Sequence, residues 1–290
     1  MTTTTAPAPA PVSSTLSGVS FGGILVSEWI KLRSLRSTVW CYIILIVISI
    51  GLSPLMAFAF ASQVSDPGMS VDFETAQSIA AQVATTSIGF SQLVVSVLGA
   101  LVITGEYSTG MIRSTLTAVP KRLPALFGKA AVFGVVTFIV GFVALLVGLL
   151  VAIPVLGNGD IPVDLTDGAL WVTLAGGAAY LALIGLFSLA IGAIIRNSAG
   201  GIAAALGAIL VLPTIVSVFA VISMQEWVGN LNNLLPSNAG SRMYAYPVGM
   251  LQEQFMVGTQ LEPWQGALVL LVWIAALFLL ASVLLKRRDA

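Results

Sequence analysis

All 24 charged side chains fall in the seven short segments left over by six apolar stretches of 22 to 27 residues, and no stretch holds an Asp, Glu, Lys or Arg. A charge at the centre of a bilayer costs about 2.5–3.5 kcal/mol on insertion scales, so charge-free stretches are the ones a membrane accepts. About 20 apolar residues cross the hydrocarbon layer. The stretches cover 39–60, 79–103, 130–156, 170–195, 199–222 and 264–285. This pattern predicts an all-α membrane protein with six transmembrane helices over residues 20–290. Composition agrees: 8% of residues are charged, against about 25% in a soluble domain. Residues 1–19 are rich in Thr, Ala, Pro and Ser, cannot bury a core, and are expected to form a disordered tail. That tail lacks the basic start and apolar run of a cleavable leader, so the first span is expected to be an uncleaved anchor.

Basic residues set orientation. The N-terminal side of the predicted topology carries eleven Lys and Arg, and the other side carries Arg242 alone. That asymmetry predicts a multi-pass protein of the inner or plasma membrane with both termini in the cytoplasm. Nine acids lie outside, and only Glu28, Glu106 and Asp289 lie inside.

Several function classes lose support at once. The spans hold no ionisable group of the kind a proton- or ion-coupled carrier uses. The chain has no histidine and one cysteine, Cys41. An intramembrane serine protease lacks its base, and a metal centre lacks its ligands. No Gly-x-x-x-x-Gly-Lys-Ser/Thr phosphate loop is present. No catalytic residue, metal, cofactor or nucleic acid is expected in this chain. A stand-alone secondary carrier or channel that binds through backbone carbonyls at broken helices stays open, as does a membrane anchor or regulatory protein. Energy for uphill transport would have to arrive from a separate subunit.

Two internal segments could receive such a push. The segment 105–129 reads GEYSTGMIRSTLTAVPKRLPALFGK. Ser108 or Thr109 is expected to cap a short helix, with Ile112, Leu116 and Val119 on one edge. Pro120 and Pro124 are expected to stop it, beside Lys121 and Arg122. A solvated loop with ordinary positive-inside charge is the alternative. The second segment is 21–40, FGGILVSEWIKLRSLRSTVW. Phe21, Ile24, Leu25, Leu32 and Leu35 share one face, while Lys31, Arg33 and Ser34 point away from it. Trp29 and Trp40 suit the headgroup region, so the helix is expected on the membrane surface. Glu28 interrupts the apolar face and is expected to pair with Lys31 or Arg36, or with the basic loop after the second span.

These residues carry a resemblance. SEWIKLRSLRSTVW and GEYSTGMIRSTLTAVPKR, together with six spans and internal termini, resemble ABC type-2 transporter permeases, especially those of actinobacteria. The likeness covers about residues 20–290. It implies that the loop after the second span is a coupling helix docking on a cytoplasmic ATPase, with Glu106, Tyr107, Thr109, Gly110, Arg113, Lys121 and Arg122 at that contact. It implies that Glu28, Trp29, Lys31 and Arg33 belong to an elbow helix. Two permease copies, identical or paralogous, and two ATPase subunits binding ATP and Mg would form an exporter among membrane lipids. The cargo class would be lipid, glycan, peptide or drug.

The second span is the most polar, and the family places it and the fifth span by the shared path, which points to Thr85, Ser91 and Gln92. Interhelical hydrogen bonding is an equal use for such side chains. Ala199, Ala203 and Gly207, like Ser188 and Gly192, recur at the four-residue spacing that lets helices approach. Pro213 is expected to bend the fifth span. In the outer segment 223–263, Trp227, Val228, Leu231, Leu234 and Leu235 make one apolar edge, and Met250, Leu251, Phe255 and Met256 another. Short helices dipping into the outer leaflet are expected there, re-entrant by the family resemblance, with Arg242 paired to Glu253 or a lipid phosphate.

Overall fold

The computed structural model describes residues 20–64, 71–111, 123–247 and 259–287. Helix α1 is Phe21–Ser34, and α2 is Arg36–Val64. The second span is split into α3, Phe73–Thr85, and α4, Ile88–Ser108. Then come α5, Leu123–Gly157, and α6, Gly168–Ile195. The fifth span joins α7, Ser198–Leu206, to α8, Leu212–Ser223, through a π turn at Gly207–Val211. Then follow α9, Glu226–Asn233, and α10, Pro236–Ser241 with a 3-10 turn at Arg242–Tyr244. Helix α11, Pro263–Arg287, ends the chain. Among the described residues helices are joined by turns and there is no strand, and six segments are long and apolar enough to cross a membrane. They overrun the expected spans: the second begins at Phe73 and the third at Leu123.

Helix α6 is the centre of the bundle, packing against α3, α4, α5, α7, α10 and α11. Small residues make that possible. A Cβ on Gly99 of α4 would lie 2.3 Å from the Gly185 carbonyl oxygen of α6. A Cβ on Gly192 would lie 3.0 Å from the Ala100 oxygen. Backbone therefore meets backbone along α4 and α6, the approach that drives helix association where lipid supplies no hydrophobic force. Gly192 serves this contact, and Ser188 is buried with its hydroxyl bonded to the Ile184 carbonyl of its own helix. Ala199 and Ala203 do not: both are exposed, and Gly201 and Ala205 turn inward instead.

Both irregular spans have a local cause. Thr85 Oγ1 donates to the Ala81 carbonyl at 2.8 Å, and Thr86 Oγ1 to that of Gln82 at 2.9 Å. Ser49 Oγ of α2 donates to Ser87 Oγ at 3.0 Å. Three consecutive hydroxyls thus offer the backbone and the neighbouring helix alternative partners, and the helix breaks there. In the fifth span Pro213 has no N–H to give and its ring crowds the carbonyl four residues back. The ladder widens into a π turn just before it, one of the recognised ways a helix absorbs such an insult.

The described part of the segment between the last two spans forms short helices. Val228 and Leu235 are buried, while Trp227, Leu231 and Leu234 are exposed. Helix α10 wedges between α6 and α11, where a Cβ on Gly240 would sit 2.4 Å from the Tyr180 ring. Tyr246 Oη donates to Asp167 Oδ2 at 2.7 Å and ties this segment to the start of α6. The second apolar edge, Met250 to Met256, and Glu253 lie outside the described residues, as do residues 1–19.

Gly99→Ala is expected to lower stability by about 1–3 kcal/mol, because its methyl meets a backbone oxygen that cannot rotate away. Gly105→Ala, with nothing within 4 Å of the added carbon, is expected to change little. Thermal unfolding of both variants in detergent checks the pair; equal losses would refute the close-approach account.

Candidate functional site

Four charged side chains meet at the end of the bundle that carries α1. Lys129 Nζ donates to Glu28 Oε2 at 2.6 Å and to Glu106 Oε1 at 2.9 Å. Lys31 Nζ donates to Glu28 Oε1 at 2.7 Å and to Glu106 Oε1 at 3.1 Å. The order Glu28–Lys31–Glu106–Lys129 closes into a ring with no net charge. Glu28, Glu106 and Lys129 are buried, and Lys31 is partly exposed. Leu32, Val102, Val132 and Phe133 help line the pocket around them. Burial opposes the Lys31 ammonium, but hydrogen bonding to Glu28 and the charges of Glu106 and Glu28 hold its pKa above the ordinary value.

Each member arrives by a simple route. On α1 the buried stripe is Ile24, Glu28 and Leu32, one residue per turn. Lys31, expected to point away, turns into the ring. Phe21 and Leu35, expected to share one apolar face with Ile24 and Leu32, are exposed while those two are buried. Glu106 sits in the last turn of α4. Lys129, expected at the end of a loop, lies inside α5, because that helix already begins at Leu123. Pro124 therefore opens a helix rather than stopping one. A proline near the first helical position loses no hydrogen bond that the helix needed. Glu28 makes both the local pair with Lys31 and the distant pair with Lys129 at the far end of the segment after the second span. Arg36 is not its partner.

The chain leaves α4 through a tight stop. Ser108 Oγ and Thr109 Oγ1 both donate back to the Gly105 carbonyl, at 3.0 and 2.8 Å. They close α4, and the helix they were expected to cap would run through residues outside the described ones. Gly110 follows at φ +73°, the left-handed conformation that a helix end favours and that glycine adopts without strain. Arg113, Lys121 and Arg122, with Ile112, Leu116, Val119 and Pro120, lie outside the described residues.

Tyr107 faces another neighbour. The Arg196 guanidinium lies 5.2 Å from the centre of its ring. Arg196 caps α6 in the left-handed region at φ 60° and donates Nη2 to the Leu284 carbonyl of α11 at 3.3 Å. The end of α4 thus contacts α1 and α5 through Glu106, and the α6–α7 turn and α11 through its neighbour. Sequence reasoning counted Lys129 and Arg196 only as orienting charges. The signal available for the ring was the presence of two acids, Glu28 and Glu106, on a side otherwise rich in bases.

The residues expected near a path are not gathered into one surface. Ser91 is fully buried, and its hydroxyl has no hydrogen-bond partner. Gln92 accepts the Tyr180 hydroxyl of α6, an interhelical use. Thr85 is half-buried beside the break. Trp29 and Arg33 are exposed on α1.

The fold and this joint define a multi-pass helical membrane protein whose loops and ends are tied together on one side. The sequence profile described as ABC-2 family transporter protein matches residues 23–290. That covers most of the chain, and the chain belongs to this family, whose members are membrane components of transporters. A search of curated proteins finds no match.

Lys129→Met would leave two buried carboxylates facing Lys31 alone, and breaking a buried pair in this way costs about 3–5 kcal/mol. Glu106→Gln combined with Lys129→Met removes one charge of each sign and should cost less than Lys129→Met alone. Melting temperatures in detergent give the order; a double variant less stable than the single would show that the ring does not act as a unit.

Proposed function

We propose that this chain is the membrane-spanning permease subunit of an ATP-binding cassette exporter, paired with a second permease, identical or paralogous, and driven by separate cytoplasmic ATPase subunits. The observation that carries this reading is the buried ring. It joins both flanks of the 112–122 loop, at Glu106 and Lys129, to α1. A push on a tethered rigid helix end displaces the helices attached to it, whereas a free loop would absorb the motion. In this reading both termini and the loop face the cytoplasm. Glu106, Tyr107, Thr109, Gly110, Arg113, Lys121 and Arg122 belong to the ATPase contact, and ATP and Mg reside on the partner.

The path is proposed to run between two permeases, beside the second and fifth spans. Two features support this. Those two spans are the broken ones in corresponding positions of the two halves of the chain, a pattern that points to transport sites. Gln82 is also exposed on the outward side of the second span, near half-exposed Thr85 and Thr86. Exposed amide and hydroxyl groups suit a polar path or a partner better than lipid. In this reading α9 and α10 form the re-entrant outer segment that gates the exit.

Affinity-tagged chain is expected to recover an ATP-binding subunit from its native membrane. Glu106→Ala is expected to reduce that recovery, or ATP-driven export in proteoliposomes, about tenfold while the chain still inserts. Wild-type recovery and export in Glu106→Ala and Glu28→Gln, or uphill transport by the purified chain alone, would defeat the proposal.

A further inference from the structure

Helix α1 has a second face that the ring does not use. With about 100° per residue, Trp29, Arg33, Val26 and Ile30 occupy one arc opposite the Ile24–Glu28–Leu32 stripe. Val26, Trp29 and Ile30 are 59%, 46% and 60% exposed. Ser27 and Ser34 lie on the flank between the two faces. An exposed apolar arc with a polar flank is how a helix lies in a membrane interface, with the arc against lipid. Arg33 stands within that arc, not on the polar flank.

The same arrangement recurs across the bend. Arg36 opens α2, and one turn on stands Trp40, 63% exposed. Ile44 and Val47 continue the stripe and are also exposed. Arg36 is therefore the charged end of a lipid-facing row, one turn from a tryptophan. Indole rings favour the headgroup level, which places the two guanidinium groups at the depth of the lipid phosphates. Neither Arg33 nor Arg36 has an ion-pair or hydrogen-bond partner among the described residues. Lys31, by contrast, is spent on the ring.

We propose that the α1–α2 bend is a binding site for anionic phospholipid, with Arg33 and Arg36 taking the phosphate and Trp29, Trp40 and Ile44 contacting the glycerol and upper acyl region. Guanidinium is the fitting group: it is planar, always charged, weakly hydrated, and offers paired donors to phosphate oxygens. The apolar rows on both arms favour a lipid over free phosphate, which has nothing to place against them. The lipid would sit on the back of the helix whose front carries Glu28 and Lys31.

Native mass spectrometry of the full chain in neutral detergent tests this with phosphatidylglycerol, phosphatidylcholine and inorganic phosphate. Wild type is expected to retain phosphatidylglycerol over phosphatidylcholine, with no displacement by inorganic phosphate. A basic residue at an anionic surface contributes about fivefold to binding, so Arg33→Gln and Arg36→Gln should each cut retention by about that factor. Arg33→Lys with Arg36→Lys should lose less than the double Gln variant. A bilayer measurement covers the case in which a variant is unstable. Brominated phosphatidylglycerol should quench Trp40, taken as the difference from Trp40→Phe, more than brominated phosphatidylcholine at equal mole fraction. The proposal is overturned if the double Gln variant retains phosphatidylglycerol like wild type, if phosphatidylcholine binds or quenches equally, or if inorganic phosphate displaces the lipid.

Discussion

Everything at one end of this molecule hangs on a requirement that buried charges must satisfy. Glu28, Glu106 and Lys129 are withdrawn from water, and the cost of that is recovered only if each finds opposite charge at hydrogen-bond distance. The ring meets the condition by drawing on three elements far apart in sequence: α1, the end of α4 and the beginning of α5. It therefore fixes the position of a helix that lies outside the bundle proper. Its stability value and its positional value are distinct, and the second is what a transmitting joint needs.

The rest of the bundle is held by a different force. Where the middle of α4 meets α6 there are no charges to pair, and close packing of small residues does the work. Gly99 against Gly185, and Gly192 against Ala100, bring backbones into contact. The end opposite the ring adds a hydrogen-bonded clasp between Tyr246 and Asp167. A stiff centre with an ionic joint at one end and a clasp at the other suits a body that moves in large pieces.

Much of the fold could be read from residues alone. Charge-free stretches located all six spans, because hydrocarbon tolerates little else. The apolar face of α1 and the interruption of it by Glu28 were visible as well, but that face was expected against the membrane, and its Ile24–Leu32 stripe packs inward instead. What failed was the detail at helix ends. Pro124 was read as a stop and lies in the first turn of α5, and the hydroxyls of Ser108 and Thr109 bond back to Gly105. A hydroxyl or a proline near a boundary serves either side of it, and only the three-dimensional path decides which. Gln92 shows the same limit: a polar residue in a span reads as path or as glue, and its bond to Tyr180 shows the second use.

The sequence by itself determined that this chain lives in a membrane, how many times it can cross, and which side collects its bases, since these follow from the cost of placing charge in hydrocarbon. Tertiary structure alone decided that Lys129 turns inward, that Lys31 joins it on Glu28 and Glu106, and that Arg36 is left out. Pairing depends on which helix ends come within a few ångströms of one another, and that proximity arises from packing across elements that the order of residues does not reveal.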